Sequence, residues 1–173
     1  MSRLTRLKNR LVASLATRFP ALKNKLVAGY QARESTGTIP WTDPVTPLKQ
    51  AKLALVTTSG IHHRRQQPFA MNDPNGDPSY RQLDGPTLFD DFQITHDYYD
   101  HTDAGKDPNI ILPLDRAEEL VSEGIVGSLA ASHYSFMGHI DGPLIATLVE
   151  KTAKQVAQRL KEDQVDLVLL TPA

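Results

Sequence analysis

The length, composition and charge of this sequence exclude several classes of protein. Its 173 residues are enough for one domain with a hydrophobic core, and its shares of apolar residues (40%) and charged residues (23%) are ordinary for a globular protein. It contains no cysteine, so disulfides, thiolate metal sites and a cysteine nucleophile are excluded within this sequence. No apolar run approaches the ~20 residues of a transmembrane helix and no secretory signal is recognisable, so we expect a cytoplasmic protein without a transmembrane segment.

The first predicted element is a basic amphipathic arm, which with its linker occupies residues 1–38. Residues 1–42 carry eight Lys or Arg and one acid, whereas the remainder carries eleven bases and nineteen acids. Leucines recur at helical spacing at Leu4, Leu7, Leu11 and Leu15, and Pro20 interrupts the pattern. One interpretation is a helix that docks on an acidic partner or a membrane surface; the favoured one is a helix packed on its own domain with a solvated basic face. Nucleic-acid binding is not expected, because the isoelectric point is near 6.6 and the arm lacks base-stacking aromatics.

The main domain, residues 39–173, alternates predicted strands and helices. Strands are predicted at 51–60, 91–96, 125–130 and 165–170, and helices at 114–124 and 143–163. Residues 61–90 are rich in Pro, Gly, Asp and Asn and are expected to be irregular, and Asn109 is expected to close a turn. This order predicts right-handed crossovers. The predicted fold class is α/β, with an open, mainly parallel sheet and flanking helices, as an incomplete or truncated domain preceded by the basic helix.

Polar segments follow two of the predicted strands, at 57–82 and 131–142. The carboxyl ends of parallel strands share one edge of a sheet, so these segments should converge there, beside the end of the last strand after Leu170. His62 and His133 each follow a predicted strand, where a neutral imidazole could bind an anion or transfer a proton. His96 and His101 are instead expected to be surface or turn residues. No histidine spacing matches a known zinc pattern, and we predict no metal site.

Two further groups of candidate substrate-binding residues lie in these segments. Asp77 is placed to hold Arg81, which could either clamp a carboxylate or phosphate or act only as a brace for the loop; the sequence does not separate these alternatives. Tyr134, Ser135 and Gly138 could line a pocket. No nucleophile elbow, P-loop or dinucleotide-binding motif is present, so the catalytic residue is not identified by any of these patterns.

Several stretches together resemble the selenoprotein B family. They are "PWTDPVTPLKQAKLALVTTSGIHHRRQQPF", "GDPSYRQL", "HDYYDHTDAGKDPNIILPLDRAEELVSEGIVGSLAASHYSFMGHIDG" and "DLVLLTP". The likeness runs from about Pro40 to Ala173 and leaves the basic arm outside. Residues that fall in register with the family pattern are Asp107, Asn109, Pro113, Asp115, Arg116, Gly124, Gly127, His133, Tyr134 and Gly138.

This resemblance implies a subunit of a glycine, sarcosine, betaine or D-proline reductase, an oxidoreductase that reductively cleaves a C–N bond with a thiol/disulfide couple. In that family the Leu-Thr at the end of the last strand leads within a few residues to a selenocysteine or cysteine. The hypothesis is that the reading frame continues through a UGA codon after Ala173, so that the 173 residues alone are inert. The selenolate would attack an activated α-carbon and expel the amine, leaving a selenoether. Activation would come from a pyruvoyl or other carbonyl group on a partner subunit.

The resemblance also implies reductase partner subunits, a thiol or selenol carrier protein and a small amine or amino-acid substrate. This chain itself would hold no cofactor. Two other functions stay open: a non-catalytic binding or assembly module that retains the scaffold, and a histidine-based metal hydrolase. Substrate identity, the number of copies in an assembly (a homo-oligomer is one option) and the role of the arm are not decided by the sequence.

Overall fold

The chain folds into an N-terminal helical pair and an α/β domain. The computed structural model describes residues 3–28, 42–84 and 89–173. Helix α1 spans Arg3–Arg18 and helix α2 spans Pro20–Val27, with Pro20 in the first turn of α2, where its missing N–H is not needed. The predicted interruption at Pro20 is therefore confirmed. None of the described helices is both long and apolar enough to cross a membrane.

The main sheet is built around strand β1, Lys52–Thr57. Along one edge β1 pairs in parallel with β7, Leu167–Thr171; along the other it pairs with β5, Ser128–Leu129, and then with β6, Ser132–Phe136. Strand β3, Tyr80–Asp84, completes the sheet by antiparallel pairing with β6. The sheet is thus mainly parallel, and the predicted fold class is confirmed.

Apolar residues alternate along β1 and so face two separate cores. Leu53 and Leu55 pack against the 104–112 segment and helix α3, Leu114–Ser122. Ala54 and Val56 pack with Tyr134 against the last helical segment, which comprises α4 (Leu144–Thr147), a π-helical turn (Leu148–Thr152) and α5 (Ala153–Glu162). Flanking helices on both faces are what a parallel sheet requires, since neither face can be left in water.

Two short strands lie inside the segment 61–90 that was expected to be irregular. Strand β2, Ile61–His63, pairs antiparallel with β4, Phe92–Ile94, in a separate two-stranded sheet, and β3 pairs with β6. The expectation fails because both strands are short and are stabilised by partners that are distant in sequence.

The segment 131–142 was expected to be a loop, and this is wrong for its first half. Strand β6 is buried along its whole length although it contains Ser132, His133 and Ser135. The polar composition is compatible with a strand because a side chain supplies a missing acceptor: the Leu55 N–H, at the gap between β5 and β6, donates to Nδ1 of His133 at 3.0 Å. A buried backbone N–H without such a partner would be costly.

Strands β1 and β6 continue into turns that lie against each other. Gly138 has φ of +83°, and a Cβ at this position would lie 2.2 Å from the carbonyl oxygen of Thr58. A glycine is therefore required there for both its backbone conformation and its close approach. Gly124, after α3, has φ of +70°, but no heavy atom lies within 4 Å of the place that a Cβ would occupy.

The replacement Gly138→Ala should destabilise the fold much more than Gly124→Ala. Both alanines meet the left-handed penalty of about 1–2 kcal/mol, and Gly138→Ala adds a backbone clash of roughly 1–3 kcal/mol. The free energies of unfolding from urea denaturation test this difference. Equal losses for the two variants would show that the turns after β1 and β6 are not in contact.

Folding stability should fall in mild acid because of His133. Burial lowers the pKa of His133 to about 4, so between that value and about 6.5 the unfolded chain binds a proton that the folded chain does not. Stability is therefore complete above about pH 6.5 and decreases by up to about 3 kcal/mol as the pH falls toward 4.

The variant His133→Asn isolates this effect, because an amide oxygen can still accept from the Leu55 N–H but does not titrate. Denaturant unfolding at a series of pH values should show a shallower slope for His133→Asn than for the unmodified chain. Identical slopes would rule out a neutral, buried imidazole at this position.

Candidate functional site

The carboxyl ends of β1, β6 and β7 meet at one edge of the sheet. The Thr58 N–H donates to the carbonyl oxygen of Thr171 at 3.1 Å, and the Gly60 N–H donates to that of Phe136 at 2.9 Å. At the end of β7, the Thr171 hydroxyl donates to the carbonyl oxygen of Ile111 at 2.8 Å. We call residues 57–60, 137–139 and 171–173 the rim. It contains the position that α/β sheets most often use for binding sites.

The segment 95–101 packs along the rim. The Thr95 N–H donates to the carbonyl oxygen of Gly60 at 2.9 Å, and the Tyr99 hydroxyl donates to that of Ser59 at 3.0 Å. The ring of His139 stacks on Tyr98 with centroids 4.0 Å apart. These contacts bring aromatic and imidazole groups to the rim that are distant from it in sequence.

Asp97 is an acid whose side chain is fully buried beside the rim. Its carboxylate accepts from Nε of Arg6 at 2.6 Å and from Nε of Arg10 at 2.7 Å, both on α1. Burial alone would raise the pKa of Asp97, but the hydrogen bonds from the two guanidinium groups outweigh it and hold the pKa below its usual value. Helix α1 thus packs on its own domain through Arg6 and Arg10, which bind Asp97 while their side chains stay 37% and 53% exposed.

His96 is not the surface residue that the sequence suggested. It is 6% exposed, and its Nδ1 accepts from the Tyr98 N–H at 3.0 Å. Burial lowers the pKa of His96 to about 4, so its imidazole is neutral near pH 7. The expectation fails because the aromatic residues that follow His96 fold over it, which a local pattern of polar and turn residues does not indicate.

His62 lies on β2 and is fully buried. Its Nδ1 is 2.9 Å from the carbonyl oxygen of His63, and its Nε2 is 2.9 Å from the hydroxyl of Thr95. Burial lowers the pKa of His62, and its ring meets the ring of Phe69 edge to face. Both ring nitrogens therefore contact protein atoms, and a role for His62 in substrate binding stays a prediction.

Asp77 and Arg81 organise the loop between β2 and β3. Asp77 accepts hydrogen bonds from the Ala70 N–H and from both the N–H and the hydroxyl of Ser79. The guanidinium of Arg81 lies 4.2 Å from the centroid of the Phe69 ring. It donates to the carbonyl oxygens of Gln67, Pro68 and Tyr80 and to the Ser79 hydroxyl. These are the contacts of a loop brace, one of the two alternatives that the sequence left open; the ligand role of both residues stays a prediction.

The remaining predicted residues lie on β6 and just beyond it. His133, Tyr134 and Ser135 are buried within the strand, and Ser135 is the cross-strand neighbour of Arg81. Gly138 is exposed at the rim. The structure thus brings Arg81 close to both Ser135 and Phe69, whereas His133 lies lower in the sheet beside Leu55.

Sequence reasoning did not identify Thr58, Asp97, Tyr98 or His139 as substrate-binding candidates. The stretch "HDYYDH" was the available signal, because it gathers two histidines, two acids and two tyrosines within six residues. A separate cavity of about 220 Å³ lies outside the rim between β2, β4 and residues 104–108, with Arg64 and Lys106 in its wall. Within the described ranges, no three His, Asp or Glu residues are grouped closely enough to hold a metal ion.

Comparison with known proteins identifies relatives of this chain. The family model for glycine/sarcosine/betaine reductase selenoprotein B matches residues 22–173. The γ subunit of D-proline reductase from Acetoanaerobium sticklandii is 36% identical over 131 residues, which cover 76% of this chain and 52% of that protein. The γ subunit of glycine reductase complex component B from Symbiobacterium thermophilum is 32% identical over 146 residues, 77% of this chain and 31% of that protein.

A sarcosine reductase complex component B β subunit from Peptoclostridium acidaminophilum is 27% identical over 146 residues, 77% of this chain and 30% of that protein. The chain thus spans about half the length of the D-proline reductase subunit and about a third of the other two. No solved structure matches it. The resemblance inferred from the sequence is confirmed by the family match: this chain belongs to the glycine/sarcosine/betaine reductase selenoprotein B family.

Proposed function

We propose that this chain forms the rim-bearing part of a reductase subunit that cleaves the C–N bond of a small amine or amino acid. The observation that supports it best is the convergence of β1, β6 and β7, which brings Thr171 of the Leu170-Thr171 pair to the rim. In the family, that dipeptide is followed within a few residues by the selenol or thiol nucleophile. A residue soon after Ala173 in a longer chain would start from this edge of the sheet.

A selenolate at this position would need no general base, because a selenol is far more acidic than a thiol and is deprotonated at neutral pH. The low pKa of His96 makes its imidazole a weak base, and the raised pKa of Tyr99 keeps its hydroxyl protonated, so neither residue is a strong proton acceptor at the rim. The role of this chain would be to hold the nucleophile in position. The hydrogen bonds that Thr58, Ser59 and Gly60 form with neighbouring segments fix the backbone of the rim for this purpose.

Substrate activation would come from a carbonyl group, such as a pyruvoyl group, on a partner subunit, and electrons from a thiol or selenol carrier protein. We assign neither group to this chain. The predicted substrate-binding residues fall into two roles in this proposal. Gly138 is exposed at the rim, close to where a ligand would bind, whereas His62, Asp77, Arg81, His133, Tyr134 and Ser135 support the rim from within.

One observation favours the second candidate function, a binding or assembly module without catalysis. Strand β7 is at the edge of the sheet, and Val168, Leu169 and Leu170 are 42%, 44% and 70% exposed. An apolar edge strand is prone to pair with another chain. This surface would serve an assembly role whether or not a nucleophile follows.

The DNA sequence after the Ala173 codon separates these two functions. The reductase proposal predicts a TGA triplet followed by an in-frame extension that includes a cysteine. Sequencing of the genomic locus provides the answer directly. A TAA or TAG triplet would contradict the proposed nucleophile and favour the assembly module.

Arg81→Ala is predicted to lower the free energy of unfolding by roughly 2 kcal/mol or more, because it removes several charge-assisted hydrogen bonds from a side chain that is 14% exposed. The matched control is Arg64→Ala, since Arg64 is exposed and, among the residues that the structure describes, its side chain donates one hydrogen bond, to the carbonyl oxygen of Asp90. The control should cost less than about 1 kcal/mol.

Titration calorimetry with glycine, sarcosine, betaine and D-proline distinguishes the brace from the ligand clamp. If Arg81→Ala keeps the stability of the unmodified protein but weakens carboxylate binding by roughly 1–3 kcal/mol, Arg81 contacts the ligand and the brace is wrong.

A further inference from the structure

Helix α1 turns its apolar face away from the domain. Exposed fractions along this face are 77% for Leu4, 56% for Leu7, 57% for Leu11, 46% for Leu15 and 57% for Phe19, just after the helix. The opposite face contacts the domain, where Ala13 is buried and Arg6 and Arg10 bind Asp97. We call the five exposed apolar residues the leucine stripe.

The two arginine contacts fix this orientation. Rotating α1 to bury the leucine stripe would leave the carboxylate of Asp97, whose side chain has no solvent exposure, without either guanidinium partner. Breaking a buried ion pair by removing its partner is strongly destabilising. The hydroxyl of Ser14 holds the same face through a hydrogen bond to Asp100. The leucine stripe is therefore presented outward by the fold itself.

The charges carried by the helical pair itself are all positive. Residues 3–27 contain seven Lys or Arg and no acid, of which Arg6 and Arg10 are bound to Asp97. The remaining five are Arg3, Lys8, Arg18, Lys23 and Lys25, and none of them forms an ion pair with another residue that the structure describes. With about 100° between successive residues, Arg3 and Lys8 lie on either side of the leucines and Arg18 lies at their C-terminal end.

We propose that α1 lies flat on an anionic lipid bilayer, with the leucine stripe inserted among the acyl chains and the five cations at the level of the headgroups. A helix with Leu and Phe on one side, Lys and Arg beside them and low overall hydrophobicity is the type that binds in the membrane interface. Basic side chains at its margins reach the headgroups while their aliphatic parts stay among the apolar residues. This surface needs nothing from the proposed reductase chemistry.

The charges disfavour a second copy as the occupant. Packing α1 against α1 of another copy would place cations against cations on both sides of the apolar seam, with no acid in either helix to offset them. A partner shared by the whole family is also disfavoured, because the family match begins at residue 22 and leaves α1 outside it. An anionic lipid surface can bind both the leucine stripe and the cations beside it, and it needs no matching groove.

Co-sedimentation with lipid vesicles tests this docking surface. The unmodified protein should bind vesicles of phosphatidylcholine with one third phosphatidylglycerol far more tightly than vesicles of phosphatidylcholine alone, and raising the salt to about 0.15 M should weaken the binding. Replacing Arg3, Lys8 and Arg18 together by glutamine should reduce binding at low salt by roughly a hundredfold and remove most of the salt dependence.

The double variant Leu7→Ser/Leu11→Ser should weaken binding at least about tenfold without altering the melting temperature, since both side chains are exposed. Its matched control is Leu48→Ser/Val149→Ser, which removes two aliphatic side chains that are 49% and 51% exposed elsewhere and should leave binding unchanged. Sedimentation velocity is run in parallel. No binding to the anionic vesicles, equal binding by both double variants, or self-association that only Leu7→Ser/Leu11→Ser abolishes would overturn the proposal.

Discussion

The pairing of β1 along both of its edges is the constraint on which the rest of this structure depends. Strand β1 pairs with β7 along one edge and with β5 and then β6 along the other. The carboxyl ends of β1, β6 and β7, which are distant in sequence, therefore lie together. The backbone pairing of β1 is interrupted between β5 and β6. At this point the imidazole of His133 accepts a hydrogen bond from the Leu55 N–H. A buried polar side chain here replaces a backbone acceptor, and leaving that N–H without a partner would cost about 1–3 kcal/mol.

Many polar residues that a functional interpretation would single out support the fold in this way. Asn109 is a further case: its side-chain oxygen accepts from the Asp115 N–H, and its amide donates to the carboxylates of Asp107 and Asp115. This network joins the turn before α3 to the first turn of that helix. Residues in register with the family pattern can therefore be retained for hydrogen bonds that position the rim, without touching a substrate.

The sequence predicted well the elements whose signal is local. Strand β1, helix α3, the helical segment 144–162 and strand β7 were all predicted because an apolar run or a helical period marks each one. Strands β3 and β6 were not, since their residues are polar and the strands are stabilised by pairing with each other across the sheet. The contacts of Arg6 and Arg10 with Asp97 could not be predicted from the sequence either. Asp97 is 91 positions from Arg6 and 87 positions from Arg10, and only the three-dimensional fold brings them together. Local patterns located one edge of the candidate site, whereas the buried acid and the orientation of α1 required the structure.

Alkylation of the native protein followed by peptide mass spectrometry tests most directly whether the rim receives a nucleophile. Treatment with iodoacetamide near neutral pH labels a selenolate faster than ordinary thiols, and the substrate amine should protect a residue that lies at the rim. The predicted result is one rapidly labelled selenocysteine or cysteine in the peptide that continues from β7, with labelling slowed by one of the family's substrates. A native peptide that ends at Ala173, or labelling that no such amine slows, would contradict a catalytic rim.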